Sequence, residues 1–175
     1  MIKTERLMII PITLDDIDDM YEYAKNPIIG KMAGWKAHQD KEHTKSVIEL
    51  LMKLGHIYSI IYDNKMIGTV GLTFKDKVNI GYVLNQDYWH KGIMHEALKG
   101  VIIYLFTKTD HQIIEAETYV DNYPSQQVLL KLGFKFIGTT DMLKDDKYVS
   151  INKYELTKQA YERNELPWQN TTINK

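Results

Sequence analysis

DYWHKGIMHEALKGVIIYLF, Asp87 to Phe106, is the stretch on which the reading of the fold turns. Ahead of it, Val78 to Leu84 (VNIGYVL) is β-branched, aromatic and apolar, the composition of a strand. Within it Ala97, Leu98, Val101, Ile102 and Leu105 recur at helical spacing. A glycine-bearing turn therefore hands a strand directly to a helix. The first turn of a helix has N–H groups without intrahelical acceptors, and the macrodipole adds about half a positive charge there. A phosphate answers both needs, whereas a simple cap or tight turn explains a lone glycine equally well. The spacing is not that of a P-loop, since G-x-x-x-x-G-K-[ST] is absent and Lys91 precedes Gly92. G-x-G-x-x-G is absent too.

Working outward, Ile2 to Pro11 reads as a strand, and Thr13-Leu14-Asp15-Asp16 as a capping box opening a helix through about Lys25. Asn26 to Gln39, with Pro27, Gly30 and Gly34, reads as irregular, and Asp40 to Leu54 as an amphipathic helix. Strands Ile57 to Tyr62, Ile67 to Phe74 and Val78 to Leu84 are joined by short polar links, which predicts an antiparallel meander. The helix after Gly92 is long enough to cross over, so strand Ile113 to Val120 is expected parallel to Val78 to Leu84. A helix from about Ser125 to Lys131 and strands Phe134 to Asp141 and Tyr148 to Leu156 follow. The reading is one domain over residues 1–163, with a polar, loosely held tail over 164–175.

Trp89-His90-Lys91-Gly92-Ile93-Met94 resembles motif A (R/Q-x-x-G-x-G/A) of the GNAT N-acetyltransferase superfamily. Val120 to Phe134, VDNYPSQQVLLKLGF, is similar to motif B, and TERLMIIPIT, Thr4 to Thr13, to the opening of the ribosomal-protein-alanine N-acetyltransferase branch. Trp89, His90 and Met94 depart from motif A, and Leu129 stands where many relatives have a tyrosine that protonates the departing thiolate. The resemblance implies an α/β (α+β) fold with a mixed, mostly antiparallel sheet of about seven strands, a central splayed parallel pair and flanking helices. It also implies transfer of an acetyl group from acetyl-CoA to a primary amine, either a protein N-terminus such as that of a ribosomal protein or a small amine.

Acetyl-CoA as cosubstrate, with no metal, sets the expected site. The diphosphate would lie over the N–H groups of Lys91, Gly92, Ile93, Met94 and His95, with His90 in the same turn. Tyr82, Val83 and Leu84 would make sheet-like hydrogen bonds to the pantetheine amides. The amine must lose a proton, since ammonium groups of pKa about 8 to 10 are mostly charged at neutral pH. Glu117, near the end of its strand and matching by its distance from Asn122 the catalytic glutamate of some relatives, is the candidate base, with Glu115 on the same face; both also fit a solvated sheet face. In the resembled branch the motif B asparagine and serine lie beside the cofactor's sulfur, which assigns Asn122 and Ser125 there and makes Ser125 the candidate acid. Either residue equally well caps a helix. Trp35 and His38, in the loop GWKAHQD, are the candidate acceptor wall, with Trp35 also suited to plugging a core.

Composition narrows the remaining classes. A formal net charge of −1 over 175 residues argues against a nucleic-acid binder that works by phosphate neutralisation. No apolar window approaches a membrane span and no signal-peptide stretch opens the chain, so a cytoplasmic location is expected, with no membrane partner. The absence of cysteine removes disulfides, thiolate zinc sites and a cysteine nucleophile. His95-Glu96 begins like H-E-x-x-H, but Lys99 holds the second histidine's place. A catalytically silent acyl-CoA-binding or regulatory module is the alternative function, and neither heptads nor a dimer face can be read.

Overall fold

Among the described residues, eight strands form a mixed sheet with flanking helices, in the order Ile2–Lys3, Leu7–Pro11, Ile57–Tyr62, Lys65–Phe74, Val78–Leu84, Ile113–Tyr119, Lys147–Thr157, Lys135–Lys144. The computed structural model describes residues 1–169. The expected strand Ile2 to Pro11 is two strands, β1 (Ile2–Lys3) and β2 (Leu7–Pro11), which makes eight rather than seven. Thr4 breaks it: its N–H donates to the Leu7 carbonyl at 3.0 Å, and its hydroxyl accepts from the Leu7 N–H at 3.1 Å. The chain turns back there, and β1 pairs antiparallel with β2.

By contact density the chain forms two compact units, the first of Met1–Thr73 with Gly81–Val101 and the second of Phe74–Ile80 with the chain from Ile102 onward. In the first, β2 pairs antiparallel with β3 (Ile57–Tyr62), and β3 with β4 (Lys65–Phe74), as the meander reading requires. Helices α1 (Ile17–Ala24), α2 (Pro27–Ala33) and α3 (Lys41–Leu54) belong to this unit. Its core gathers Ile12, Met20, Tyr23, Ala24, Ile29, Ile48, Ile61 and Met66, with Trp35, Val83 and Trp89 packed against it.

The expected capping box forms, with the Thr13 N–H donating to Asp16 Oδ2 at 2.9 Å. Helix α2 lies where an irregular segment was expected. Asn26 Oδ1 accepts from the Ile28 N–H at 2.9 Å, Pro27 opens the first turn, and Gly34 (φ 80°) closes the helix. All three are ordinary helix start and stop signals. Only two turns long, the segment has too little apolar periodicity to be read as a helix.

In the second unit the opening residues, Val78 to Ile80, of β5 (Val78–Leu84) pair in parallel with β6 (Ile113–Tyr119), as expected, through Val78↔Ile114, Asn79↔Glu115 and Ile80↔Ala116. The ladder stops at Ile80. Strand β6 continues antiparallel to β8 (Lys147–Thr157), and β7 (Lys135–Lys144) pairs with β8 at the edge. Helix α4 (Ile93–Lys108), its residues to Val101 in the first unit and the rest in the second, buries Ala97, Leu98, Val101, Ile102 and Leu105, the positions its spacing marked. Helices α5 (Tyr123–Leu132) and α6 (Lys158–Glu162) complete the unit.

Of the expected tail, 164–169 is held. Leu166 is 2% exposed, Trp168 Nε1 donates to the Leu132 carbonyl at 3.0 Å, and Gln169 Nε2 donates to the Tyr161 carbonyl at 2.8 Å. Two apolar side chains in a polar stretch anchor it, a signal that average composition conceals. Residues 170–175 of the tail lie outside the described residues.

Candidate active site

The turn between β5 and α4 adopts an unusual backbone. His90 (φ 59°) and Gly92 (φ 72°) are both left-handed and flank Lys91. Alternating handedness of this kind turns successive N–H groups toward one concave side, the geometry of an anion nest. The first intrahelical bond runs from the Glu96 N–H to the Gly92 carbonyl at 3.0 Å, so the amides of Lys91 to Met94 lie ahead of the helical ladder. Lys91 and Gly92 are exposed while Ile93 and Met94 are buried, which anchors the turn where the helix begins. The Lys91 ammonium stands 5.3 Å from the Tyr88 ring centroid, and no carboxylate among the described residues pairs with it. His95 is partly buried, one residue before the first ladder bond.

Arg6 meets this turn from the opening strand pair. Its Nη1 donates to the Lys91 carbonyl at 3.2 Å and its Nε to Glu96 Oε2 at 2.6 Å. Its own N–H and the Thr4 hydroxyl both donate to Glu96 Oε1, at 2.8 and 2.6 Å. Burial raises the Glu96 pKa, but the Thr4 hydroxyl and the Arg6 amide and guanidinium outweigh it and hold the carboxyl below its ordinary value. Gly100 lets the opening segment lie against α4, for a Cβ there would stand 2.9 Å from Thr4 Cγ2. Neither Arg6 nor Glu96 was singled out from the sequence. The available signal was a glutamate and a glycine four residues apart on one helix face, facing an N-terminal Thr-x-Arg.

The main chain of β5 is sorted by alternation. The Asn85 N–H donates to the Ile67 carbonyl at 2.8 Å, and a Cβ on Gly68 would stand 2.3 Å from the Val83 oxygen. Val83 therefore turns its polar groups toward β4, and Tyr82 and Leu84 turn theirs to the opposite edge. The Leu84 carbonyl accepts from Trp89 Nε1 at 2.9 Å.

In the loop after α2, His38 is 6% exposed, and its ring lies 5.2 Å from Trp35 and 4.8 Å from His43 between centroids. His38 Nδ1 is 2.9 Å from Thr44 Oγ1, whose single proton goes to the Asp40 carbonyl at 3.1 Å. The shared contact then needs its proton on Nδ1, so Nε2 carries the lone pair. Burial, and secondarily His43, lowers the His38 pKa. Trp35 packs against the core of the first unit, as its core-plugging reading requires.

The second unit holds the remaining candidates. Glu117 is exposed and faces Lys153 across the β6–β8 ladder, with Nζ at 3.8 Å, while Glu115 accepts from Lys77 at 2.8 Å. Glu115 shares Lys77 with Glu155, whose Oε2 also accepts from it at 2.8 Å. Asn122 caps α5, its Oδ1 accepting the Ser125 N–H at 3.3 Å, and Ser125 is partly buried in the first turn. Leu129 is wholly buried and offers no hydroxyl. Among the described residues no cluster of His, Asp or Glu could hold a metal ion, and no helix is long and apolar enough to cross a membrane.

Comparison with known proteins bears on this arrangement. The profile of the acetyltransferase (GNAT) domain matches residues 6–135. The chain is 29% identical to the uncharacterized N-acetyltransferase p20 of Bacillus licheniformis, over 90% of this chain and 96% of that protein. It is 25% identical to the ribosomal-protein-serine acetyltransferase of Escherichia coli, over 66% of this chain and 71% of that one. A solved GNAT-family acetyltransferase from Bacillus anthracis superposes with a TM-score of 0.83 at 23% identity, covering 90% of this chain and 98% of its own, which shows a shared fold.

Proposed function

The chain belongs to the acetyltransferase (GNAT) domain family, and on that premise we propose that it transfers the acetyl group of acetyl-CoA directly to a primary amine in a ternary complex. The observation that carries the proposal is the His90 to Gly92 turn, whose two left-handed residues lead main-chain amides into the first turn of α4. A diphosphate fits that chemistry, because amides at a helix start attract and hydrogen-bond an anion without needing a particular side chain. Trp89, His90 and Met94 therefore depart from the motif without removing its binding groups.

Acetyl-CoA supplies a thioester, an acyl donor with a good leaving group. Tyr82 is the β5 residue best turned to hydrogen-bond the pantetheine amides, with Val83 and Leu84 bounding it on the strand. The neutral amine nitrogen adds to the acyl carbon, the carbon–sulfur bond breaks, the nitrogen loses a proton and the sulfur gains one. We assign the first proton to Glu117, whose contact with Lys153 is long and solvated, and the second to Ser125. Asn122 holds Ser125 at the start of α5. Trp35 and His38 form the acceptor wall, with His38 neutral and its Nε2 able to accept from an ammonium or amine N–H. Protein N-termini are the favoured acceptor class, supported by the similarity to a ribosomal-protein-serine acetyltransferase; small amines are the other, and the cytoplasm is the proposed location.

Calorimetry with acetyl-CoA and thiol release in the presence of an amine and peptide panel test the proposal. Binding with thiol release for at least one acceptor is expected. Binding without release for every acceptor overturns it in favour of a silent acyl-CoA-binding module, and absence of binding removes the cradle itself.

A further inference from the structure

We infer that Arg6 is a positioning residue that holds the Lys91–Gly92 peptide in the orientation required by the carrier's diphosphate, with Thr4 and Glu96 holding Arg6. The inference rests on the acetyl-CoA reading of the turn. The peptide in question joins an exposed lysine to an exposed glycine. Glycine accepts both signs of φ at little cost, so a peptide plane entering glycine can flip unless something pins it. Here Arg6 Nη1 pins it by donating to the Lys91 carbonyl at 3.2 Å. Because the peptide is planar and trans, fixing the carbonyl on the Arg6 side directs the Gly92 N–H to the opposite face.

The guanidinium is itself held. Glu96 receives Nε at 2.6 Å and the Arg6 N–H at 2.8 Å, and the Thr4 hydroxyl at 2.6 Å completes the carboxylate's set. The Glu96 side chain is 17% exposed and that of Arg6 40%, so the pair is fastened at its inner end and open at its outer one. Arg6 Nη2 stands 3.7 Å from where a Gly92 Cβ would be, the nearest approach among the described residues outside the turn itself. The same contact has an electrostatic consequence. A carboxylate in the first turn of α4 would repel an incoming anion, and pairing with Arg6 cancels that charge where the helix dipole is used.

Only a planar fork can address Glu96 with Nε and the Lys91 carbonyl with Nη1 together; an ammonium cannot. The test is calorimetric, with CoA as one probe and pantetheine, which lacks the diphosphate, as the other. Wild type and the variants Arg6→Gln and Arg6→Lys are compared after their thermal unfolding has shown that they fold. The ratio of CoA to pantetheine affinity is expected to fall about tenfold in both variants. Glu96→Gln, which loosens the guanidinium while removing an anion, is expected to lower the same ratio by a smaller factor. An unchanged ratio in Arg6→Gln overturns the inference, because a general loss of structure would weaken both probes alike. Restoration of the ratio by Arg6→Lys also overturns it, since charge alone would then suffice. Failure of the wild type to bind CoA would instead strike the acetyl-CoA reading, which distinguishes the two failures.

Discussion

Trp89 Nε1 donates to the Leu84 carbonyl at 2.9 Å, tying the end of β5 to the residue that precedes the left-handed turn. The indole also packs against the core of the first unit, so one side chain sets both the position of the turn and the hydrogen-bonding capacity of the strand end. Trp89→Phe keeps most of the packing and deletes the donor. The expected loss is about 1 kcal/mol, or roughly 3 °C in Tm for a chain of this size. Unfolding followed by circular dichroism measures it, and a Tm equal to that of the wild type would mean the bond contributes nothing net.

Gly92→Asp places a negative charge and a Cβ at φ 72°, beside Arg6 and in front of the helix start. Acetyl-CoA affinity is expected to fall by at least a factor of about 30, the size of a lost charge-assisted contact. Titration calorimetry reads it directly, and unchanged affinity would contradict the placement of the diphosphate.

Glu117→Gln tests the proposed base. Acetyl-CoA should still bind, while turnover falls by about a hundredfold or more, as for loss of a general base. If the variant kept the wild-type pH–rate profile, Glu117 would have no part in the proton transfer.

His38 is expected to make stability depend on pH in the mildly acidic range. Its folded-state pKa lies below the ordinary 6.5, through burial first and His43 second. The unfolded chain therefore takes up the proton first as pH falls, so stability is full above about 6.5 and declines below it. His38→Asn, which retains a donor toward Thr44 and cannot titrate, should flatten that part of the Tm–pH curve. The His43 ring lies 4.8 Å from that of His38 between centroids, so His43→Asn is the companion measurement. An equally steep curve in His38→Asn would assign the decline elsewhere.

Leu166 is 2% exposed and stands 2.9 Å from where a Cβ on Gly133 would be, so the segment after α6 belongs to the second unit's core. Leu166→Ala is expected to cost about 2 to 3 kcal/mol. Chemical denaturation tests it; a change within error would show that the segment is not held in solution.

The alternation and helical periodicities within the chain were enough to locate most strands, the long helix after Gly92 and the parallel step from β5 to β6, because burial of one face imposes a period that neighbouring residues display. The strand–glycine–helix junction was legible for the same reason, and its main-chain chemistry depends little on which side chains surround it. Short elements escaped: α2 spans two turns, and the break at Thr4 depends on a hydroxyl accepting from Leu7. Which side of β5 offers its polar groups, which tautomer His38 adopts, and the grip of Thr4 and Arg6 on Glu96, about ninety residues away along the chain, were decided by tertiary structure alone. Hydrogen bonds between distant segments leave no periodic trace in sequence; their partners are chosen only when packing brings the segments together.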